Sequence, residues 1–211
     1  LTGYLGKMKL PLNPSSVKGF LDDEEGLALH NAALERADYG PCLEVGGYCG
    51  KSTIYIGSAC ARANELLFSI DHHRGSEENQ PGWEYFDAEL WDETAGAVDT
   101  LPFFRDTIRK AGLEATVIAI VGQSKDVAAR WGTPLSLLFI DGGHTTEHAL
   151  NDYEGWVPHL MVGGLLAIHD VFPDPKDGGR PPFDIYQKAL RSHAFAEEGA
   201  IKSLRLLRRL K

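Results

Sequence analysis

Apolar and polar positions alternate between two rhythms along the chain. Short, nearly continuous apolar runs bounded by glycine or an acid occur at 41–47 (PCLEVGG), 65–71 (ELLFSID), 115–122 (ATVIAIVG), 135–143 (LSLLFIDGG) and 163–171 (GGLLAIHDV). Such runs predict buried strands. Between them, 22–37, 51–63, 101–113, 124–131, 144–160 and 183–193 carry helical patterns. Acids crowd the start of 22–37, where they complement a helix dipole, and Gly112 closes 101–113. The end, 194–211, reads as two more strands. Strands alternating with helices predict an α/β chain with a doubly wound, mostly parallel sheet covered on both faces.

At 211 residues the chain is the length of one α/β domain. Residues 1–40 form a helical lead-in, and 72–96 interrupt the alternation as an insertion. No apolar run approaches the roughly 20 residues needed to cross a bilayer. The opening LTGYLGKMKL lacks the apolar core of a secretory signal. A cytoplasmic protein with no membrane partner is therefore expected. Cys42, Cys49 and Cys60 show neither a disulfide nor a zinc spacing and are expected to be buried thiols. The net charge of −9 disfavours a nucleic-acid partner. Most of that charge is local, because 72–96 hold seven acids against Arg74.

In such sheets ligands bind beyond the carboxyl ends of the strands, so residues just after each strand carry the information. The first strand ends in Leu43-Glu44-Val45-Gly46-Gly47-Tyr48-Cys49-Gly50-Lys51-Ser52. Glycines at 46, 47 and 50 allow a tight turn and close approach of a ligand to the backbone. Asp71, ending the second strand, is placed to accept hydrogen bonds from ribose hydroxyls. Val45 breaks the dinucleotide pattern G-x-G-x-x-G, and the Gly46–Gly50 spacing is too short for a P-loop.

Asp141 and Asp170 close the fourth and fifth strands and should emerge on one edge of the sheet. Two neighbouring carboxylates repel unless neutralised, and a divalent cation neutralises them economically. Mg²⁺ suits hard oxygens; His169, a candidate third ligand, tilts the preference towards Mn²⁺ or Zn²⁺. His144, three residues after Asp141, is a candidate general base.

The turn Glu44-x-Gly46-x-x-x-Gly50 matches the E/D-x-G-x-x-x-G motif of class I S-adenosylmethionine-dependent methyltransferases. That resemblance implies a Rossmann-like seven-stranded sheet with an antiparallel C-terminal strand. It also implies S-adenosylmethionine as cofactor, held by Glu44, Gly46, Gly47, Gly50, Ser52, Asp71 and Asp141, with adenine beside Gln123 and Ser124. IDGGHTTEHALNDYEGWVPHLMVGGLLAIHD (140–170), with LEVGGYCGKST and SLRLLRR, further resembles metal-dependent sugar O-methyltransferases of the macrocin and mycinamicin type. In that family a D-x-x-H supplies metal ligand and base, matching Asp141 and His144. An acidic pair completes the metal site, but here His169 stands for its first acid and only Asp170 remains. The segments HHRGSEENQPGWE and IHDVFPDPKDGGRPPF resemble actinobacterial enzymes that methylate the reducing-end 1-hydroxyl of methylmannose polysaccharide precursors.

The resemblance implies a small saccharide acceptor, received between 72–96, with Trp83, Tyr85, Phe86 and Trp91, and the proline-rich loop 172–182. It allows a homodimer. Catechol-type aromatic methylation and a non-catalytic partner protein of the same fold are the alternatives; intact Asp141, His144 and Asp170 argue against the second.

Overall fold

A computed structural model of the chain describes residues 10–143 and 145–211. In chain order the elements are α1 (Asp23–Arg36), β1 (Cys42–Val45), α2 (Lys51–Ala63), β2 (Leu67–Asp71), the short strands β3 (Trp91–Asp92) and β4 (Ala97–Val98), α3 (Leu101–Lys110), β5 (Val117–Val121), α4 (Ser124–Ala128), β6 (Leu135–Ile140), α5 (Thr146–Trp156), β7 (Leu160–Ile168), α6 (Pro181–Arg191), β8 (Phe195–Ile201) and β9 (Leu204–Arg209). Among the described residues, seven strands form one sheet in the order β5-β2-β1-β6-β7-β9-β8. The pairs from β5 to β7 are parallel, whereas β9 runs antiparallel to both β7 and β8. The expected doubly wound sheet is therefore present, with strand order reversing between β1 and β6.

Its two faces carry two cores. Leu137 and Phe139 of β6 pack with Leu29, Tyr55 and Phe104 on one side. Leu138 and Ile140 pack with Tyr153, Trp156 and Ile185 on the other. Alternate residues of one strand thus bury on opposite faces, which is why β6 reads as an unbroken apolar run. Gly26 lets α1 approach α2, because a Cβ there would sit 2.3 Å from the Tyr55 ring.

The insertion also has a core of its own. Cys49, Leu90 and Val98 are buried together, with Phe86 and Trp91 packed against them. Across it, β3 and β4 pair antiparallel. The three cysteines are free and buried, as expected. Among the described residues no helix is long and apolar enough to cross a membrane.

Candidate active site

The sheet delivers its strand-end residues to one edge by extending its own ladder. The Gly46 N–H donates to Ile70 O (2.9 Å), the Asp141 N–H to Val45 O (2.9 Å), the His169 N–H to Ile140 O (3.2 Å) and the Gly122 N–H to Asp71 O (3.1 Å). A cavity of about 600 Å³ opens over this edge. Gly46, Gly47, Ser52, Asp71, Gln123, Ser124, Asp141, His169 and Asp170 all line it, so residues up to 124 positions apart converge as the sequence implied.

Gly46 fits by necessity: its φ is +94° and a Cβ there would stand 2.2 Å from Asp141 O. No other residue keeps β1 against the start of the Asp141 loop. Asp71 organises the next wall. Its Oδ2 accepts from the Tyr48 N–H at 2.8 Å and its Oδ1 from the His73 N–H at 2.6 Å. Both donors have left-handed backbones, φ 45° and 56°. One carboxylate thus holds two strained loops in place while facing the cavity.

At the other end, donor atoms of Asp141, His169 and Asp170 lie within 4.8 Å of one another. His169 is 5% exposed. Its Nδ1 lies 2.9 Å from Asp141 Oδ1 and 3.5 Å from Asp170 Oδ2, and its Nε2 is 3.0 Å from Glu25 Oε2. Burial alone would depress the imidazole's pKa, but the Asp141 charge and His169's own hydrogen bonds to Asp141, Asp170 and Glu25 hold it well above the usual range. His144, the expected base, lies outside the described residues.

A methyltransferase-domain family model matches residues 43–171, from β1 to just past β7, and so spans the strand edge and most of the site. The chain belongs to this methyltransferase-domain family. Demethylmacrocin O-methyltransferase of Streptomyces fradiae is 32% identical over 65 residues, 28% of this chain and 16% of that protein. The chain thus matches about a sixth of the length of that curated relative. Among solved structures, O-methyltransferase TomG of Streptomyces achromogenes, in complex with SAM, has a TM-score of 0.63 at 14% identity, covering 91% of this chain and 82% of its own. SAH-bound PaMTH1 of Podospora anserina gives 0.65 at 13%, covering 91% and 80%. The O-methyltransferase NovP gives 0.65 at 18%, covering 87% and 80%. At these identities the likeness is one of fold.

Within this methyltransferase domain two expected cofactor residues sit elsewhere. Glu44 is fully buried and its carboxylate accepts from Ser52 Oγ at 2.9 Å and from Thr53 Oγ1. It braces the start of α2 from behind rather than lining the cavity. Gly50 supplies the left-handed turn before α2 (φ 92°), where a Cβ would stand 3.0 Å from Thr107. Burial pushes the Glu44 carboxyl up to about 7 against the hydrogen bonds from Thr53 and Ser52.

A raised folded-state pKa means that Glu44 favours the fold below about pH 4.5 and loses that contribution as pH rises through about 7. Glu44→Gln removes this dependence. Relative to the variant, the natural protein is expected to lose about 2–3 kcal/mol of stability between pH 5 and 8. Urea unfolding of both proteins at the two pH values measures it, and parallel midpoint shifts would refute it.

Two site residues carried no sequence signal beyond a helical pattern. Glu25, in the first turn of α1, backs His169 and also accepts from the Ser203 N–H and Oγ (both 2.8 Å) and the Leu204 N–H (3.1 Å). Burial alone would raise its carboxyl, but the His169 and Ser203 hydrogen bonds and the His169 charge bring it down to about 2. Asp152 of α5 lines the cavity and hydrogen-bonds Ser124, whose Oγ also accepts from Trp156 Nε1 at 2.8 Å. Burial raises Asp152 to about 6. These contacts pin the Gln123–Ser124 loop from behind.

The insertion divides its residues. Lys18, from the lead-in, bonds Asp87 (2.5 Å) and Glu89 (2.7 Å). Of its four expected acceptor-facing aromatics, only Tyr85 lines the cavity. Phe86 and Trp91 pack inward and Trp83 is 59% exposed outside it.

Proposed function

We propose that this methyltransferase domain transfers the methyl group of S-adenosylmethionine to a hydroxyl of a small saccharide, with a divalent cation at Asp141, His169 and Asp170. The observation that carries the reading is the convergence of these three side chains in one cavity with the Gly46–Gly47 turn and Asp71. The donor set fits a cation that displaces the Nδ1 proton of His169. It offers two carboxylates and an imidazole whose far nitrogen is backed by Glu25, the arrangement that orients histidine ligands. The oxygens favour Mg²⁺ and the imidazole suits Mn²⁺. Such a cation, when bound, acidifies and orients an acceptor hydroxyl and neutralises the carboxylates.

The protein's own residues do the rest. Asp71 and the glycine turn hold the ribose and the amino-acid end of the cofactor, and Gln123 and Ser124 receive the adenine. When bound, S-adenosylmethionine would supply an electrophilic methyl group on its sulfonium, and its transfer to an acceptor oxygen would leave a neutral thioether. His144, at the start of the segment leading into α5, takes the hydroxyl proton. In its narrowest form the acceptor is the 1-hydroxyl of a methylated mannoside, on the resemblance of the insertion and the 168–183 loop. The homodimer is part of the same reading.

His144→Ala should lower turnover about 100-fold while leaving S-adenosylhomocysteine affinity within about twofold. Single-turnover methyl transfer beside calorimetric binding measures both. Unchanged turnover would remove His144 as the base.

A further inference from the structure

The lead-in contributes a wall that the sequence pattern did not mark. Lys18, Gly19, Phe20 and Leu21 line the same cavity as the strand-end residues. This strap is fixed on both sides of Phe20. Leu21 is buried in the core at 3% exposure, and Lys18 is tied to Asp87 and Glu89 of the insertion. Gly19, at φ 147°, rests against the Lys51 side chain.

Between these anchors Phe20 is 63% exposed, a large apolar ring held out into the cavity mouth. Its centroid lies 5.1 Å from Tyr85 in an edge contact (70°) and 5.9 Å from Tyr48 (37°). Tyr48 is itself set by Asp71, through its backbone N–H. Three aromatics from the strap, the glycine turn and the insertion thus form one surface whose position is coupled to the cofactor wall.

We infer that Phe20, flanked by Tyr48 and supported edge-on by Tyr85, is the platform on which the acceptor's sugar ring stacks. The inference rests on the saccharide reading above and adds the residue that selects for it. A pyranose presents an apolar C–H face and a rim of hydroxyls; an exposed phenyl ring matches the first. The second meets acceptor groups in the same cavity, among them Glu77 and Asp177. The Lys18 pairs tie the strap to the insertion, so Phe20 and Tyr85 come from segments that are joined to each other.

Phe20→Ala and Phe20→Trp in the full chain test it, with KM measured for a saccharide that the natural protein methylates and for S-adenosylmethionine. The alanine variant should raise the saccharide KM about tenfold and leave the cofactor KM within about twofold. The tryptophan variant should stay within about threefold on both. Titration calorimetry with methyl α-mannopyranoside and methyl α-glucopyranoside, in the presence of S-adenosylhomocysteine, reads the same contact without turnover. Binding by the natural protein that weakens about tenfold in Phe20→Ala supports the platform. Equal affinity in the two proteins, or a cofactor KM that rises alongside the saccharide KM, overturns it. Should the protein methylate catechols and no saccharide, the saccharide reading itself fails. Saccharide turnover indifferent to Phe20 removes only the platform.

Discussion

Asp141→Asn is expected to lower methyl transfer roughly 1,000-fold or more while the fold and the cofactor site survive. Asp141 does two separable things. Its backbone belongs to the sheet edge, receiving Gly46 at van der Waals limits and donating its N–H to Val45 O. Its side chain faces His169 Nδ1 at 2.9 Å and belongs to the three-residue cluster. Asparagine keeps the backbone role, and it removes one negative charge from the candidate cation site. S-adenosylhomocysteine affinity should therefore change little while kcat collapses; the thermal midpoint should fall, because the buried His169 loses the charge of its nearest carboxylate. A variant retaining turnover within about tenfold would show that the cluster takes no part in the chemistry.

Asp71→Ala is expected to weaken S-adenosylhomocysteine binding by roughly 10²–10³-fold, read by calorimetry. The loss has two sources. On the proposed reading the ribose loses its carboxylate acceptor, and the left-handed loops at Tyr48 and His73 lose the group that accepts both of their N–H donors. Asp71→Asn should fall between the two, since an amide oxygen still accepts one loop but carries no charge. Affinity within a factor of about three in the alanine variant would place the ribose elsewhere.

The strand-end chemistry was legible because it follows from one constraint. Strands buried on both faces read as apolar runs, such runs end at the carboxyl edge, and Gly46, Asp71, Asp141 and Asp170 stand just there. Helix α2 was equally legible, bounded by Gly50 and by Asn64 with its left-handed φ of 57°. What escaped depends on which way a side chain faces or on contacts across the chain. Glu44 carries the motif's acid, yet the hydroxyls of Ser52 and Thr53 turn it inward. Glu25 showed only as a first-turn acid of a helix, because its partners His169 and Ser203 are 144 and 178 residues away. The aromatics of the insertion were visible as residues, but Phe86 and Trp91 satisfy their burial on Leu90 and Val98. The β3–β4 ribbon, two residues a side, is too short to leave a period.

The insertion's acidity changes meaning with the structure. Asp87 and Glu89 latch the strap through Lys18, while Glu77 and Glu78 stand on the cavity wall.

The most direct test is methyl transfer from labelled S-adenosylmethionine to a panel of mono- and oligosaccharides and catechols, with Mg²⁺, with Mn²⁺ and with chelator. Label on a saccharide hydroxyl, lost on chelation and restored by either ion, is the expected result. Label on catechols alone, or saccharide methylation indifferent to chelator, would contradict the proposed function.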